Sequence, residues 1–598
     1  MARPGPQVHS EHHEMKSIDN RPHNYAPDPL DLPVKLLLAR MFHGISPASV
    51  GLAYADWFSH FASSPAHQAE LAGSALRKSL LWMQYASQAW QGECPLCIDP
   101  SPNDRRFAPP EWHTPPFSML AQGFLLNQQW WEEAMTGVRG VSSHHEDVVA
   151  FTIRQFLDMA SPSNFIATNP QVLKETANSA GTNLVNGVAN WARDAVAVMT
   201  DGRPRGVEAF EPGKGVALTP GKVVFRNALI ELIQYEPATP DVAAEPLLIV
   251  PSWIMKYYIL DLTPDDSLVR HLVGQGHTVF MVSWRNPGSE DRGLGMEDYL
   301  QQGVLAAIEA VKARRPRVRI HAAGYCLGGT LLAIAAALLG RREGNPLKTV
   351  SLLAGQVDFN HPGELGLFID ESQIAFLEGV MAERGYLDGR QMAGAFQLIN
   401  SKDLVWSKLV HEYMMGAHTP MTPMKAWNAD ATRLPARMHS EYLRKLYLHN
   451  DLAEGRYAVE GRPVRLADID VPLFVVATER DHVSPWKSVY KIHQLVHSPV
   501  TFALSSGGHN VGIVNPPAGP LAHPQASYRL AAHLPRQAPA DPQEWEDVAA
   551  EHAGSWWPCW TEWLGKHQAG ARIKPPVIEA LRQHGDPLAA PGTYVFQR

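Results

Sequence analysis

Around residue 326 the chain reads as a strand, an abrupt turn and a helix, with a cysteine at the corner. Residues 318–323 form a strand-like run. Gly324-Tyr325-Cys326-Leu327-Gly328 is a Gly-x-Cys-x-Gly box, and residues 327–339 are small and apolar with helical character. A strand that turns at once into a helix strains the backbone at the corner, and small neighbours relieve the crowding. The helix N-terminus also points its dipole at Cys326, which favours the reactive thiolate. Read alone, the pentapeptide is equally compatible with a buried cysteine in a glycine-rich turn. Flanked by strand and helix, it has the layout of a nucleophile elbow, with cysteine where serine is usual.

The surrounding pattern agrees. From about residue 202 onward, Pro-Gly pairs at 212–213 and 220–221 punctuate short strands at 222–225 and 230–235. Strand and helix then alternate: strands at 247–251, 278–284, 318–323 and 350–354, helices at 267–274 and 296–314. Such alternation builds a mostly parallel sheet covered on both faces. It stops near Asn360, gives way to a helical stretch rich in Met, Trp and Tyr, and resumes with strands at 473–478 and 500–504. About ninety residues is too long for a structureless loop. The expected fold is therefore an α/β-hydrolase fold with a helical cap inserted over the site at about 360–452. Apolar residues at three and four spacing in 71–90, 119–136 and 146–159 predict helices before it. The expected organisation is a disordered start at 1–32, an all-helical N-terminal domain at 33–205, and a catalytic domain at 206–598.

An elbow nucleophile needs an acid and then a base, each just after a strand. The 473–478 strand runs into Glu479-Arg480-Asp481-His482, and the 500–504 strand into Ser505-Ser506-Gly507-Gly508-His509. Cys326, Asp481 and His509 are thus the candidate triad. His482 is a rival base, but it neighbours Asp481, and adjacent side chains point apart. His509 would take the thiol proton, and Asp481 would orient and stabilise the imidazolium. An oxyanion hole needs two backbone N–H groups. Leu327 would supply one and the 252–255 loop, at Ile254, the other. Cysteine itself is informative: an acyl-cysteine is a thioester, so exchange with another thioester is nearly balanced and an alcohol can then take the acyl group downhill.

Composition narrows the classes. The chain has 598 residues, a net charge of −8 and four cysteines. Its length predicts two or three domains. The charge does not suggest a nucleic-acid binder, and four cysteines fit a reducing cytoplasm better than a disulfide framework. Residues 1–30 lack the apolar core of a secretory signal, and no run is long enough for a transmembrane helix.

The ordered motifs resemble the polyhydroxyalkanoate (PHA) synthases of the long single-subunit type, over residues 105 to 564. The resemblance is carried by the 324–330 box, Ser283-Trp284-Arg285-Asn286-Pro287, and Trp427-Asn428-Ala429-Asp430 with Arg433-Leu434-Pro435. It also takes in 481–486, 507–509 with Val514-Asn515-Pro516-Pro517, and, in the helical part, 161–165 and 168–170. The resemblance implies polymerisation of (R)-3-hydroxyacyl-CoA with release of CoA, the chain growing as a thioester on Cys326. It implies that His509 activates the thiol and that Asp481 helps activate the monomer's 3-hydroxyl, directly or through His509. It further implies a homodimer at the surface of cytoplasmic polyester granules, among granule-associated proteins, with no metal and no organic cofactor. Two departures stand out: Pro251-Ser252-Trp253-Ile254-Met255-Lys256 replaces the usual Pro-Pro-x-Ile-Asn-Lys, and Asn510 follows the base where an apolar residue is common.

The remaining signals are weaker. Cys94 and Cys97 form a lone CxxC among helices and read as loop thiols, since a structural zinc wants a second pair. The aromatic stretch around Cys559 reads as packing, and His9, His12 and His13 as solvated. A thioesterase or polyester depolymerase is the alternative enzyme and a granule-coating protein the non-catalytic one. A cysteine elbow and a large helical region favour the polymerase over the hydrolase, and a coat has no use for a triad.

Overall fold

The computed structural model describes residues 32–598 except 42–43, 92–94, 102–103, 201–202, 390, 393, 395–398 and 400. The expected disordered start, with His9, His12 and His13, lies outside the described residues, as does Cys94.

Ten strands form one sheet: β1 (Gly221–Arg226), β2 (Ile230–Tyr235), β3 (Leu247–Val250), β4 (Val279–Trp284), β5 (Ile320–Tyr325), β6 (Leu347–Leu353), β7 (Leu473–Thr478), β8 (Val500–Ser505), β9 (Ser527–His533) and β10 (Ala550–Ala553). Their spatial order is β1-β2-β4-β3-β5-β6-β7-β8-β9-β10. The six strands from β4 to β8 in that order are parallel, with an antiparallel pair added at each edge. The alternating residues of β3 explain why it is apolar throughout. Leu248 and Val250 join one buried cluster, Leu247 and Ile249 the other. A strand buried on both faces has no polar side to show. Trp556, Trp557 and Trp560 are fully buried and seal the second face, so the aromatic C-terminal stretch is packing.

The strand before the elbow runs from Ile320 to Tyr325, later than the expected 318–323, because Gly324 and Tyr325 still pair with Leu352 and Leu353 of β6. β9 and β10 were not predicted. β10 is the exposed edge strand, and β9, paired on both sides, is half-exposed along most of its length; neither carries apolar alternation.

Before the sheet the chain is helical: Pro47–Ala62, Pro65–Ala89, Phe117–Met135, Ser143–Met159, Pro170–Asn178 and Thr182–Met199. Local chemistry sets several starts. Ser46 and Ser142 accept from the Ser49 and His145 amides, and Asn169 Oδ1 accepts from both Gln171 and Val172, satisfying N–H groups that a helix start leaves orphaned. The cap inserted between β6 and β7 includes the helices Glu371–Arg384, Pro423–Asn428 and Ala436–Tyr442.

The N-terminal helices grip the cap at two places. At one, Gln373 of the cap bonds the Ser46 amide and the Gly44 carbonyl at 2.7 and 2.8 Å. At the other, helix Thr182–Met199 meets the 409–417 segment. Asn183 Nδ2 donates to Met414 O, Asn190 Nδ2 to Glu412 O and Ala417 O, and Lys408 pairs with Asp194 at 2.6 Å. The approach is backbone-close: a Cβ on Gly187 would lie 1.9 Å from Tyr413 O.

Candidate active site

Cys326 follows β5 directly and sits at φ 53°, ψ −127°, before the elbow helix Leu327–Gly340. A residue with a Cβ rarely adopts positive φ, so its surroundings must hold it there. Its amide donates to Leu353 O at 2.9 Å, and its carbonyl accepts from the Gly329 amide at 2.8 Å. The glycines are required by space. A Cβ on Gly324 would lie 2.5 Å from Gly329 Cα, and one on Gly328 would lie 2.2 Å from Val250 O at the end of β3. No side chain fits at either position while strand and helix stay this close.

Asp481 comes three residues after β7 and His509 four after β8. The structure brings both to Cys326. His509 Nδ1 lies 2.7 Å from Asp481 Oδ2. Asp481 Oδ1 accepts from the Val483 and Ser484 amides at 2.8 and 2.7 Å, and the Thr478 hydroxyl donates to Oδ2 at 3.1 Å. Burial pushes the Asp481 carboxyl up, but His509 and the two amides pull harder and hold it below the usual range. Burial likewise pushes the His509 imidazole down. The Asp481 charge, the Cys326 sulfur beside it and its hydrogen bonds to both overcome this and raise it well above 6.5. The arrangement stabilises an imidazolium next to sulfur. His482 is exposed, while the bond to Asp481 goes to His509.

Cys326 and His509 open onto a cavity of about 900 Å³ roofed by the cap, whose Trp427, Tyr442 and Tyr447 line it. Asp481 does not line this cavity; its side chain is fully buried behind His509. Leu327 and Ile254 both line it. The Ile254 amide has a long contact, 3.4 Å, with Ser252 Oγ. The loop that carries it is stapled from the cap: Thr432 N donates to Ile254 O at 3.0 Å, Thr432 Oγ1 to Trp253 O, and Trp427 Nε1 to Lys256 O at 2.7 Å. Lys256 is buried, which lowers its pKa to about 8, and its ammonium donates to the Tyr594 and Gln597 carbonyls of the C-terminal segment.

Sequence reasoning missed one pairing. Tyr325 OH donates to Asn510 Oδ1 at 2.8 Å, and the Tyr325 ring lies 5.7 Å from that of His509. This ties the residue before Cys326 to the residue after His509. The signal for it was the polar side chain at 510, noted as a departure but without a partner. Cys97 donates its thiol to Gln122 Oε1 at 2.9 Å. Among the described residues no cluster of His, Cys, Asp and Glu could hold a metal ion.

Comparison with known proteins places this geometry. Residues 103–272 match the family described as the N-terminus of poly-beta-hydroxybutyrate polymerase (PhaC), and residues 25–67 match a second N-terminal family of that polymerase. Residues 245–516 match the alpha/beta hydrolase fold. A poly(3-hydroxyalkanoate) polymerase of Methylorubrum extorquens is 41% identical over 501 residues, covering 83% of this chain and 81% of the relative. The poly(3-hydroxyalkanoate) polymerase subunit PhaC of Cupriavidus necator is 36% identical over 592 residues, covering 96% and 97%. The chain belongs to the poly(3-hydroxyalkanoate) polymerase family. The motifs through which it resembles that family surround the loop after β3. Trp284 Nε1 donates to Pro251 O at 2.9 Å, Asn286 Oδ1 accepts from the Arg433 amide at 2.9 Å, and Asp430 Oδ2 accepts from Tyr258 OH at 2.9 Å. In this polymerase, residues scattered over 150 positions of sequence thus fix one loop at the cavity.

Proposed function

We propose that this chain polymerises (R)-3-hydroxyacyl-CoA into a polyester and releases CoA through a covalent acyl-cysteine. The observation that carries it is the Cys326–His509–Asp481 arrangement at the floor of a capped cavity, in a chain whose relatives are named poly(3-hydroxyalkanoate) polymerases. In loading, His509 takes the Cys326 proton and the thiolate attacks the thioester carbonyl. The Leu327 and Ile254 amides face the developing oxyanion. The carbon–sulfur bond to CoA breaks, and CoA leaves with the proton from His509. In elongation, His509 takes the proton of a monomer's 3-hydroxyl, and the alkoxide attacks the acyl-cysteine. An ester forms, and Cys326 leaves as thiolate and recovers the proton. The lengthened chain, now a CoA thioester, reloads onto Cys326 and frees CoA.

Asp481 acts through His509. Its buried carboxylate has both oxygens occupied and stands outside the cavity, which supports the indirect of its two roles. Family membership also supports a homodimer at the granule surface in the cytoplasm, among granule-associated proteins. Trp191 and Val198 on the last N-terminal helix, 58% and 79% exposed, are apolar surface suited to such contacts.

The test follows free thiol and acyl product together, using purified protein and (R)-3-hydroxybutyryl-CoA with longer 3-hydroxyacyl-CoAs in parallel. Thiol release with insoluble polyester is expected. Thiol release with free hydroxy acid alone would make the enzyme a thioesterase, and no release with any monomer would favour a coat protein.

A further inference from the structure

The chain as a whole is acidic, with 52 Lys and Arg against 60 Asp and Glu. The cavity is not. Among the described residues, six Lys or Arg side chains line it against two acids, Asp194 and Glu412. One cation, Lys408, stands within 2.6 Å of Asp194 and 3.8 Å of Glu412, so both acids are already answered. Arg203, Arg205 and Lys425 line the same cavity and form no ion pair among the described residues. Glu211, the acid that feels the Arg203 charge, is paired with Lys214 at 2.9 Å.

These three cations come from two separate parts of the fold that meet. Arg203 and Arg205 lie between the last N-terminal helix and the sheet. Lys425 lies on the cap helix Pro423–Asn428, whose Trp427 staples the loop after β3. The seam between them is tight: a Cβ on Gly206 would lie 3.0 Å from Met421 Cβ. Unpaired cations gathered at a partly enclosed cavity repel one another and are retained at a cost unless an anion binds there. Resting on the acyl-CoA reading above, we propose that Arg203, Arg205 and Lys425 bind the phosphates of the substrate's adenosine 3′-phosphate 5′-diphosphate end. The N-terminal helical region thereby forms part of the substrate site. Guanidinium groups match phosphate oxygens in pairs, and lysine adds a point charge. The thioester end of the same molecule reaches Cys326 through the cavity that both sets of residues line.

The experiment uses the full chain and two substrates with the same acyl group, (R)-3-hydroxybutyryl-CoA and (R)-3-hydroxybutyryl-N-acetylcysteamine. The second lacks every phosphate. In an Arg203→Gln/Arg205→Gln variant, KM for the CoA ester is expected to rise roughly tenfold or more per cation removed. The phosphate-free thioester should show no matching loss, and Arg203→Lys/Arg205→Lys should recover part of the affinity. Calorimetric titration with free CoA, and with adenosine 3′,5′-bisphosphate as a second probe, reads the same contacts without turnover. Weakening by a similar factor supports the assignment. Equal losses on both thioesters, or unchanged affinity for both probes, would overturn it. A parent enzyme that binds CoA but turns over neither thioester would instead overturn the polymerase reading and leave the phosphate site standing.

Discussion

Replacing Asp481 by Asn should separate loading from elongation, and the reason lies in which oxygen does what. Oδ1 accepts two backbone amides, from Val483 and Ser484, and only an oxygen can stand there. The new amide nitrogen must therefore take the Oδ2 place, facing His509 Nδ1 at a distance now 2.7 Å. A donor in that position forces Nδ1 to accept, which moves the imidazole proton to Nε2, where a base must be free. The variant also loses the buried charge that raises the His509 pKa. A triad base held in the wrong tautomer loses up to roughly 10⁴ in rate, about 5 kcal/mol. Elongation, which must deprotonate a neutral hydroxyl, should carry the whole loss. Loading needs a thiolate, which hydroxide can supply as pH rises. The assay is rapid-mix thiol release: the first-turnover burst reports loading and the steady state reports elongation. As pH is raised, the burst should approach that of the parent while the steady state stays depressed. Equal losses in both phases at every pH, or a steady state within tenfold of the parent, would refute the reasoning.

Other expectations follow from the same geometry. Cys326→Ser should lower polymer formation by roughly two or more orders of magnitude, because an alkoxide is harder to generate and an oxyester is a poorer acyl donor; near-full activity by thiol release would sink the nucleophile assignment. Tyr325→Phe and Asn510→Ala should each lower kcat more than they raise KM, and a double-mutant cycle should find about 1 kcal/mol of coupling; additive losses would show that the hydrogen bond does not link nucleophile strand and base loop. His321, fully buried on β5, has its pKa lowered from 6.5 to about 3 by burial. The unfolded chain therefore takes up this proton first, and stability falls as pH drops below 6.5, by about 1.4 kcal/mol per pH unit from this group. His321→Gln should flatten that acid limb in denaturant titrations, and an unchanged slope would count against a neutral buried imidazole.

The legible parts of the sequence were those where local spacing and packing agree. The Gly-x-Cys-x-Gly box could be read because the close approach of Gly324 to Gly329 and of Gly328 to Val250 leaves no alternative residue. The parallel strands could be read because burial on both faces makes them mostly apolar, as in Leu247–Val250 and Leu473–Thr478. β9 and β10 could not, since strands at the exposed end of the sheet need no apolar pattern. The Tyr325–Asn510 bond was illegible for a different reason: its two ends lie 185 residues apart, and the polar Asn510 alone does not name its partner. The same holds for the staples on the loop after β3. Trp427 was visible only as part of a motif and Thr432 not at all, with nothing in the sequence to say which carbonyls they hold.

Those staples bear on why the chain carries so much more than a hydrolase sheet. The Ile254 amide belongs to a loop in which three carbonyls, at Trp253, Ile254 and Lys256, are held by cap residues. A shift of the 427–432 segment would therefore move a proposed oxyanion donor along with the roof of the cavity. The cap in turn is held by Asn183 and Asn190 of the N-terminal region, and its own Gln373 bonds back to Ser46 and Gly44. Removing those helices would leave the sheet and the triad strands intact but free the cap, and with it the loop. The N-terminal region then acts on the chemistry at two removes, through hydrogen bonds to backbone that depend little on side-chain identity at the receiving end. A movement of the cap that left residues 427–432 in place would leave the proposed oxyanion donor in place as well.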